Sequence, residues 1–403
     1  MSNSQENRNV LLGITGSVAA YKAPEIARLL IQRGYKVQAV MTKAACEFIT
    51  PVTMEAVTGN PAVSDFFSRD ESIGTGHIRI ADWADVFLIA PATAHSLSKL
   101  ALGQADCPVS SVALATAAPI LVAPAMNMNM FVHPATQQNI ATLKSRGVHF
   151  VEPEEGDLAC GWNGTGRLAS PWEIFHNVRR VLADRDFEGK YVVITTGPTR
   201  EMIDPVRFLS NRSSGKMGVA LAREAYRRGA RVKLIHGPVH VKVPRDIECV
   251  SVVSAQEMRE AVMQVAFEAE EKPDIVIMAA AVADFRPKSS QIEKIKKENA
   301  PKSIELAANA DILAELGERR KDKKPALVGF AVETGEIEDL IGFVRQKLEK
   351  KSADIIVGNF AQDAFDLDTN RVWIIDRHGR QEEVSTTYKS RVANKILDTV
   401  RRV

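Results

Sequence analysis

The chain is short of cysteine and shows no pattern in what it has. Cys46, Cys107, Cys160 and Cys249 lie far apart in 403 residues, form no CxxC pair and lack metal-ligand spacing, which fits a reducing compartment. An excess of one charge is also missing. The 52 Lys and Arg against 50 Asp and Glu leave a net +2, so nucleic acid is not an expected partner. No apolar run is long enough for a membrane: residues 109–126 are broken by serines, threonines and prolines and cannot supply the roughly 20 lipid-facing residues of a span. The opening MSNSQENRN lacks the charged-then-apolar order of a signal peptide. A cytoplasmic chain is expected.

The usual nucleotide fingerprints are absent too. After the first apolar run comes Gly13-Ile-Thr-Gly16-Ser17, whose glycines are three apart rather than in GxGxxG. The next strand, 36–41, ends in Thr42, where a dinucleotide enzyme would place an acid for the ribose. Further on, SNRSSGKMG fails as a P-loop: Ser210 stands for its first glycine, and Met217 for the Ser/Thr that would hold magnesium.

What the chain does have is one grammar used twice. An apolar β-rich run, a loop of small polar residues and a helix start occur at 10–20 and again at 191–218. With 45% apolar and 25% charged residues the chain is globular, and at about 150 residues per domain the restart favours two domains. The charged connector at 184–189 puts the boundary between 1–189 and 190–403. The fold class is α/β, two tandem Rossmann-like parallel-sheet domains.

In the first half, small residues at Gly16 and Ser17 let backbone N–H groups approach an anion, with a tight turn lacking a ligand as the alternative. A helix is expected over 18–33. Strands at 85–90 and 119–123 end in small and hydroxyl residues, which places Ser17, Thr42, Thr93 and Asn127 at the carboxyl edge of a sheet. Asn127 can hold a carboxylate or cap the next helix. His77, after glycines in an expected loop, can exchange protons near neutral pH or be an exposed histidine with no role. Cys160 is either an inert buried thiol or a thiol placed by a mobile loop, since Gly156, Gly161, Gly164 and Gly166 surround it.

In the second half, the loop with Asn211, Arg212, Ser213, Ser214 and Lys216 suits a phosphate or a reactive acyl group, or is merely solvated. One helix is expected over 250–269. The apolar strand 274–281 leads to Asp284, placed for a ribose or a metal unless it caps the turn. Residues 293–297 read most simply as a solvated basic stretch. Phe330, on the strand 326–331, can stack on a base, and 345–351 crowds cations at a helix end.

Five blocks in order, GITGSVAAYK, the loop with His77, APATAHSLSKLALGQAD, PAMNMNM and LACGWNGTGRL, resemble the flavin-dependent phosphopantothenoylcysteine decarboxylases. The half from Tyr191 resembles the phosphopantothenate–cysteine ligases fused to them in many bacteria. Phe131 and Leu168 depart from the tryptophan and methionine common there. The resemblance implies FMN held by Gly16, Ser17, Thr42, Thr93 and Met126. Asn127 would bind the carboxylate that is lost, His77 would assist proton movement and Cys160 would protonate the enethiolate. For the ligase it implies CTP, Mg²⁺ with ligands unassigned, 4′-phosphopantothenate and L-cysteine. Met278, Ala279, Ala280, Asp284, Lys294, Ala310, Asp311, Ile312, Leu313, Phe330, Lys347 and Lys351 would surround the nucleotide. Lys294 would be catalytic and Asn211 would orient the acyl intermediate. A homo-oligomer is implied, with trimers of the first half joined by dimers of the second into a dodecamer. Two alternatives remain: a two-Rossmann oxidoreductase using NAD or FAD, and a non-catalytic relative keeping the fold as a binding module.

Overall fold

The computed structural model describes residues 8–65, 76–157, 161, 163–244, 247–296, 303–364 and 367–403. Two compact units follow one another, Met1–Ala183 and Asp184–Val403.

In the first unit the described residues form a sheet of five parallel strands: β1 (Asn9–Ile14), β2 (Lys36–Met41), β3 (Val86–Ala92), β4 (Ile120–Pro124) and β5 (His149–Phe150). They lie in the order β2-β1-β3-β4-β5. The strands read as unbroken apolar runs because helices cover both faces. Val10, Leu12 and Ile14 of β1 enter one core with Ile26 and Ile174, while Leu11 enters the other with Leu97 and Val112. The order reverses between β1 and β3, so a crevice opens beyond their carboxyl ends.

Two local expectations are corrected. The single helix over 18–33 is a 3₁₀ turn, Val18–Lys22, followed by the helix Ala23–Gln32. Pro24 sits in the first turn of that helix, where its missing N–H does no harm, so the α-helix starts afresh there. His77 is not in a loop. It is half-buried in the first turn of the helix Gly76–Trp83, whose Ile80 and Ala81 are packed inside. After β5, the strands β6 (Glu154–Asp157) and β7 (Asn163–Arg167) form an antiparallel hairpin.

The second unit opens with β8 (Tyr191–Thr196) and the short hairpin β9 (Arg200–Met202) and β10 (Phe208–Ser210). Then come β11 (Arg231–His236), β12 (Glu248–Ser251), β13 (Ile275–Met278) and the ribbon β14 (Phe285–Pro287) with β15 (Leu306–Ala308). The last four are β16 (Ala326–Glu333), β17 (Ile355–Phe360), β18 (Thr369–Asp376) and β19 (Gln381–Tyr388). The eight-stranded sheet runs β12-β11-β8-β13-β16-β17-β18-β19. It is parallel from β12 to β17 and antiparallel at β18 and β19. Its parallel part has the Rossmann order, reversing between β8 and β13.

The helix expected over 250–269 is instead the end of β12, then the helix Ala255–Met263 capped by Ser254, then a π turn at Gln264–Glu268. β19 went unread because it is an edge strand, QEEVSTTY, with no apolar run to announce it.

Asp354 ties the amino ends of β16 and β17 to the carboxyl end of β18. Its carboxylate, 1% exposed, accepts from the Leu327 N–H at 2.8 Å and from the Arg377 guanidinium at 2.5 Å, and it pairs with Arg320. Asp354→Ala would leave two partly buried guanidinium groups without their partner. The expected loss is roughly 3–5 kcal/mol, read from urea unfolding of the second unit.

Candidate functional site

The first candidate site lies at the carboxyl rim of the five-stranded sheet, where four of the strands hand over to a helical segment through a capping residue. Ser17 accepts from the Ala19 N–H at 3.3 Å, Thr42 from Ala45 at 3.1 Å, Thr93 from Ser96 at 3.2 Å and Asn127 from Asn129 at 2.8 Å. All four are half-buried. A hydroxyl that accepts a backbone N–H keeps its own hydrogen to donate, so capping leaves Ser17 and Thr42 able to bind an acceptor. Gly16 is required by packing as well, because a Cβ there would lie 2.5 Å from the Ala44 Cβ.

The glycine hairpin docks on this rim. The Met126 N–H donates to the Gly166 carbonyl at 2.9 Å, and a Cβ on Gly166 would sit 2.3 Å from the Met126 carbonyl oxygen. A Cβ on Gly164 would meet the Met128 sulfur at 2.3 Å. Glycine is therefore what lets β7 lie against the backbone that carries Asn127. Cys160 falls between the hairpin strands in sequence and lies outside the described residues. His77 comes from a different element, on the helix that packs against Pro108–Ala115.

The second candidate site is built on the same plan with charge added. Near the end of β8 the Thr195 hydroxyl accepts from the Ala280 N–H at 3.2 Å, and beyond the strand the Thr199 hydroxyl accepts from Ala283 at 3.0 Å. The segment after β13 is thus clamped to the segment after β8. Asn211 joins it by donating to the Val282 carbonyl at 3.0 Å, and Asn309 donates to the Ala283 carbonyl at 2.8 Å. Asp311 caps the helix Ile312–Arg319 through the Ala314 N–H and pairs with Lys351. Burial opposes ionisation of Asp311, but the Lys351 ammonium and the Ala314 N–H outweigh it and hold the carboxyl below its usual range.

Lys347 stands in the middle of this group and donates to the Phe330 carbonyl at 2.7 Å. Burial pulls its pKa down, and Lys351 adds to that, against the attraction of Asp311, Asp284 and Glu333. Five of the expected nucleotide residues, Asp284, Asp311, Phe330, Lys347 and Lys351, are therefore gathered at one rim. Met278, Ala279 and Ala280 border it at the end of β13, and Ala310, Ile312 and Leu313 lie at the start of the capped helix. Lys294 is exposed, in a segment anchored on Ile203 and Asp204.

A family model described as DNA/pantothenate metabolism flavoprotein C-terminal domain matches residues 187–403, and one described as Flavoprotein matches 1–183. The coenzyme A biosynthesis bifunctional protein CoaBC of Bacillus subtilis (strain 168) is 45% identical over 401 residues, spanning 98% of this chain and 97% of that protein. The chain belongs to the CoaBC family. The protein of the same name from Vibrio parahaemolyticus is 41% identical over 98% of each chain. A crystal structure of the C-terminal domain of a CoaBC protein is 40% identical, covering 54% of this chain and 97% of its own, with a TM-score of 0.46.

As a CoaBC protein the chain is a bifunctional enzyme of coenzyme A biosynthesis, with a decarboxylase and a ligase activity. Among the described residues no helix is long and apolar enough to cross a membrane.

Two residues that shape these rims were not singled out from sequence. Thr15, fully buried, donates to the Pro91 carbonyl at 2.8 Å and accepts from the Thr93 N–H at 3.1 Å, which fixes the mouth of the crevice. Its signal was a lone hydroxyl ending an apolar strand. Asp204, 1% exposed, precedes Pro205 and has no sequence pattern around it that marks a role.

The lysine gives a pH test. Lys347 ionises below the ordinary 10.5 when folded. Between its folded value and 10.5 the unfolded chain binds the extra proton, so stability rises with pH in that window. Lys347→Met should flatten this alkaline rise in urea midpoint for the second unit and leave the profile at lower pH parallel to the parent.

Proposed function

We propose that the second unit joins L-cysteine to 4′-phosphopantothenate with CTP, and that the first unit decarboxylates the resulting phosphopantothenoylcysteine to 4′-phosphopantetheine using FMN. The observation that carries the nucleotide reading is the half-buried Lys347 with Lys351, Asp311, Asp284 and Phe330 around it at the rim of the sheet.

In the ligase reaction a pantothenate carboxylate oxygen attacks the α-phosphorus of CTP. The bond to the bridging oxygen breaks and pyrophosphate leaves. The cysteine amine then attacks the acyl carbon of the acyl-cytidylate, and CMP departs with the oxygen. Lys347, Lys351 and Lys294 offset the negative charge that grows on the leaving phosphates. Asp284 suits a ribose hydroxyl and Phe330 a base, with Met278 to Ala280 and Ala310 to Leu313 as the walls. Asn211 orients the acyl group. Among the described residues no group of three or more His, Cys, Asp or Glu is arranged to hold a metal. Mg²⁺ on this reading arrives on the triphosphate oxygens, as is usual for that ion.

For the decarboxylase, the donor set at the first rim fits FMN: the hydroxyls of Ser17, Thr42 and Thr93 and the Gly16 turn, with Met126 beside them. Bound FMN supplies the two-electron oxidation of the substrate's cysteine thiol and the later return of hydride. Asn127, whose Oδ1 is oriented by the Asn129 N–H, offers amide donors to the departing carboxylate. Cys160 delivers the proton that the enethiolate needs, and His77 assists proton movement. The subunits assemble through trimers of the first unit and dimers of the second, a dodecamer in the cytoplasm.

Purified full-length protein should show a bound flavin spectrum and should release pyrophosphate from CTP only when both 4′-phosphopantothenate and cysteine are present. Cys160→Ser should keep the flavin and lose phosphopantetheine formation, with oxidised decarboxylated product accumulating. Normal turnover in that variant removes Cys160 from the mechanism.

A further inference from the structure

The Asp204 carboxylate divides its two oxygens between two tasks. Oδ1 accepts from the N–H groups of Val206 and Arg207, each at 2.8 Å, which closes its own turn. Oδ2 accepts from the Arg207 guanidinium at 3.0 Å (Nε) and 2.6 Å (Nη2), and also from the Ile295 N–H at 3.2 Å, 91 residues away. The Arg207 Nη2 then donates to the Ile295 carbonyl at 2.7 Å, and the Gln291 N–H to the Ile203 carbonyl at 2.9 Å.

A turn needs only the Oδ1 bonds. The remaining bonds clasp the segment 291–295 onto it, and that segment carries Lys294 beside the clasped residue. The same turn opens the strand β10, which delivers Asn211 to the Val282 carbonyl. Asp204 thus ties the two stretches directly through the Ile295 N–H and also orients the Arg207 guanidinium that bonds the Ile295 carbonyl. Burial would discourage a charge here, yet the surrounding N–H groups and the guanidinium hold the carboxyl far below its usual range, so it stays a pure acceptor at any working pH.

We propose that Asp204 is a positioning residue of the ligase reaction, holding the 291–295 segment, and with it the Lys294 ammonium, in register with the turn that leads to Asn211. This rests on the reading of Lys294 given under the proposed function. Lys294 is long, flexible and exposed, so without an anchored backbone it would have no defined place.

Asp204→Asn separates the two tasks. The amide oxygen can still close the turn as Oδ1, while an NH₂ set against the Ile295 N–H and the Arg207 guanidinium puts donor against donor. In the full chain, CTP-dependent pyrophosphate release should fall about tenfold or more, with decarboxylation of supplied phosphopantothenoylcysteine unchanged. Combined with Lys294→Gln, it should be no slower than Lys294→Gln alone within about twofold, since a residue that acts through another is not additive with it. Ile295→Pro removes the same bond from the other side and decides the matter if Asp204→Asn does not fold. Parental ligase rates in both variants, or losses that multiply in the double variant, overturn the inference. Failure of the clasp and failure of the lysine's role are told apart by hydrogen exchange at the Ile295 amide. Unchanged exchange in Asp204→Asn sinks the clasp. Parental turnover in Lys294→Gln sinks the lysine's role and this inference with it.

Discussion

Both units depend on a threonine hydroxyl that bridges two strands where the order of the sheet reverses. Thr15 bonds to both the Pro91 carbonyl and the Thr93 N–H, and Thr195 takes the Ala280 N–H. At a switch point the chain leaves the sheet in opposite directions, so backbone groups there lose their ladder partners. A buried N–H left unpaired costs about 1–3 kcal/mol, and the threonines supply the partner from a side chain fixed within the core. The amino ends show the same economy: Asp85 takes the Asn9 N–H at 2.7 Å and Asp274 takes the Tyr191 N–H at 2.9 Å. In each unit both walls of the crevice are thus fastened at top and bottom.

On that common frame the two rims differ in chemistry. The first is finished with hydroxyls, an amide and bare glycine backbone, and the close approach of β7 to Met126 leaves little room for bulk. The second is finished with paired charges, Asp311 with Lys351 and Lys347 on the Phe330 carbonyl. Holding an ammonium in a partly desolvated place weakens its ionisation, and the structure offsets this only in part with carboxylates nearby. Such an arrangement suits a ligand that brings several negative charges, because these would offset the desolvation of the Lys347 ammonium.

The buried strands of both sheets were legible because helices on both faces demand uninterrupted apolar runs, and β2 matches the sequence reading residue for residue. What escaped was whatever such runs do not mark. β12 is largely exposed, β19 is a polar edge, and the helix bearing His77 is too short to show a periodic stripe. The grouping at the second rim came only through family likeness, since no local spacing announces that Asp284, Asp311, Phe330 and Lys347 meet. Asp204 was hidden for the same reason: its decisive contact, Ile295, is 91 residues on.

The sequence posed a choice at Asn127 between capping a helix and holding a ligand; the residue caps, as Ser17, Thr42 and Thr93 do, and capping does not oppose the second role. Capping uses an acceptor lone pair of the side chain, whereas an anion or carbonyl asks for a donor. The cap also fixes the rotamer, which lowers the entropy lost when a ligand is bound by the same hydroxyl. A residue type chosen for its cap at the carboxyl rim of a parallel sheet is therefore already oriented for recognition. The two roles share one geometry, and a sequence pattern that signals one signals the other.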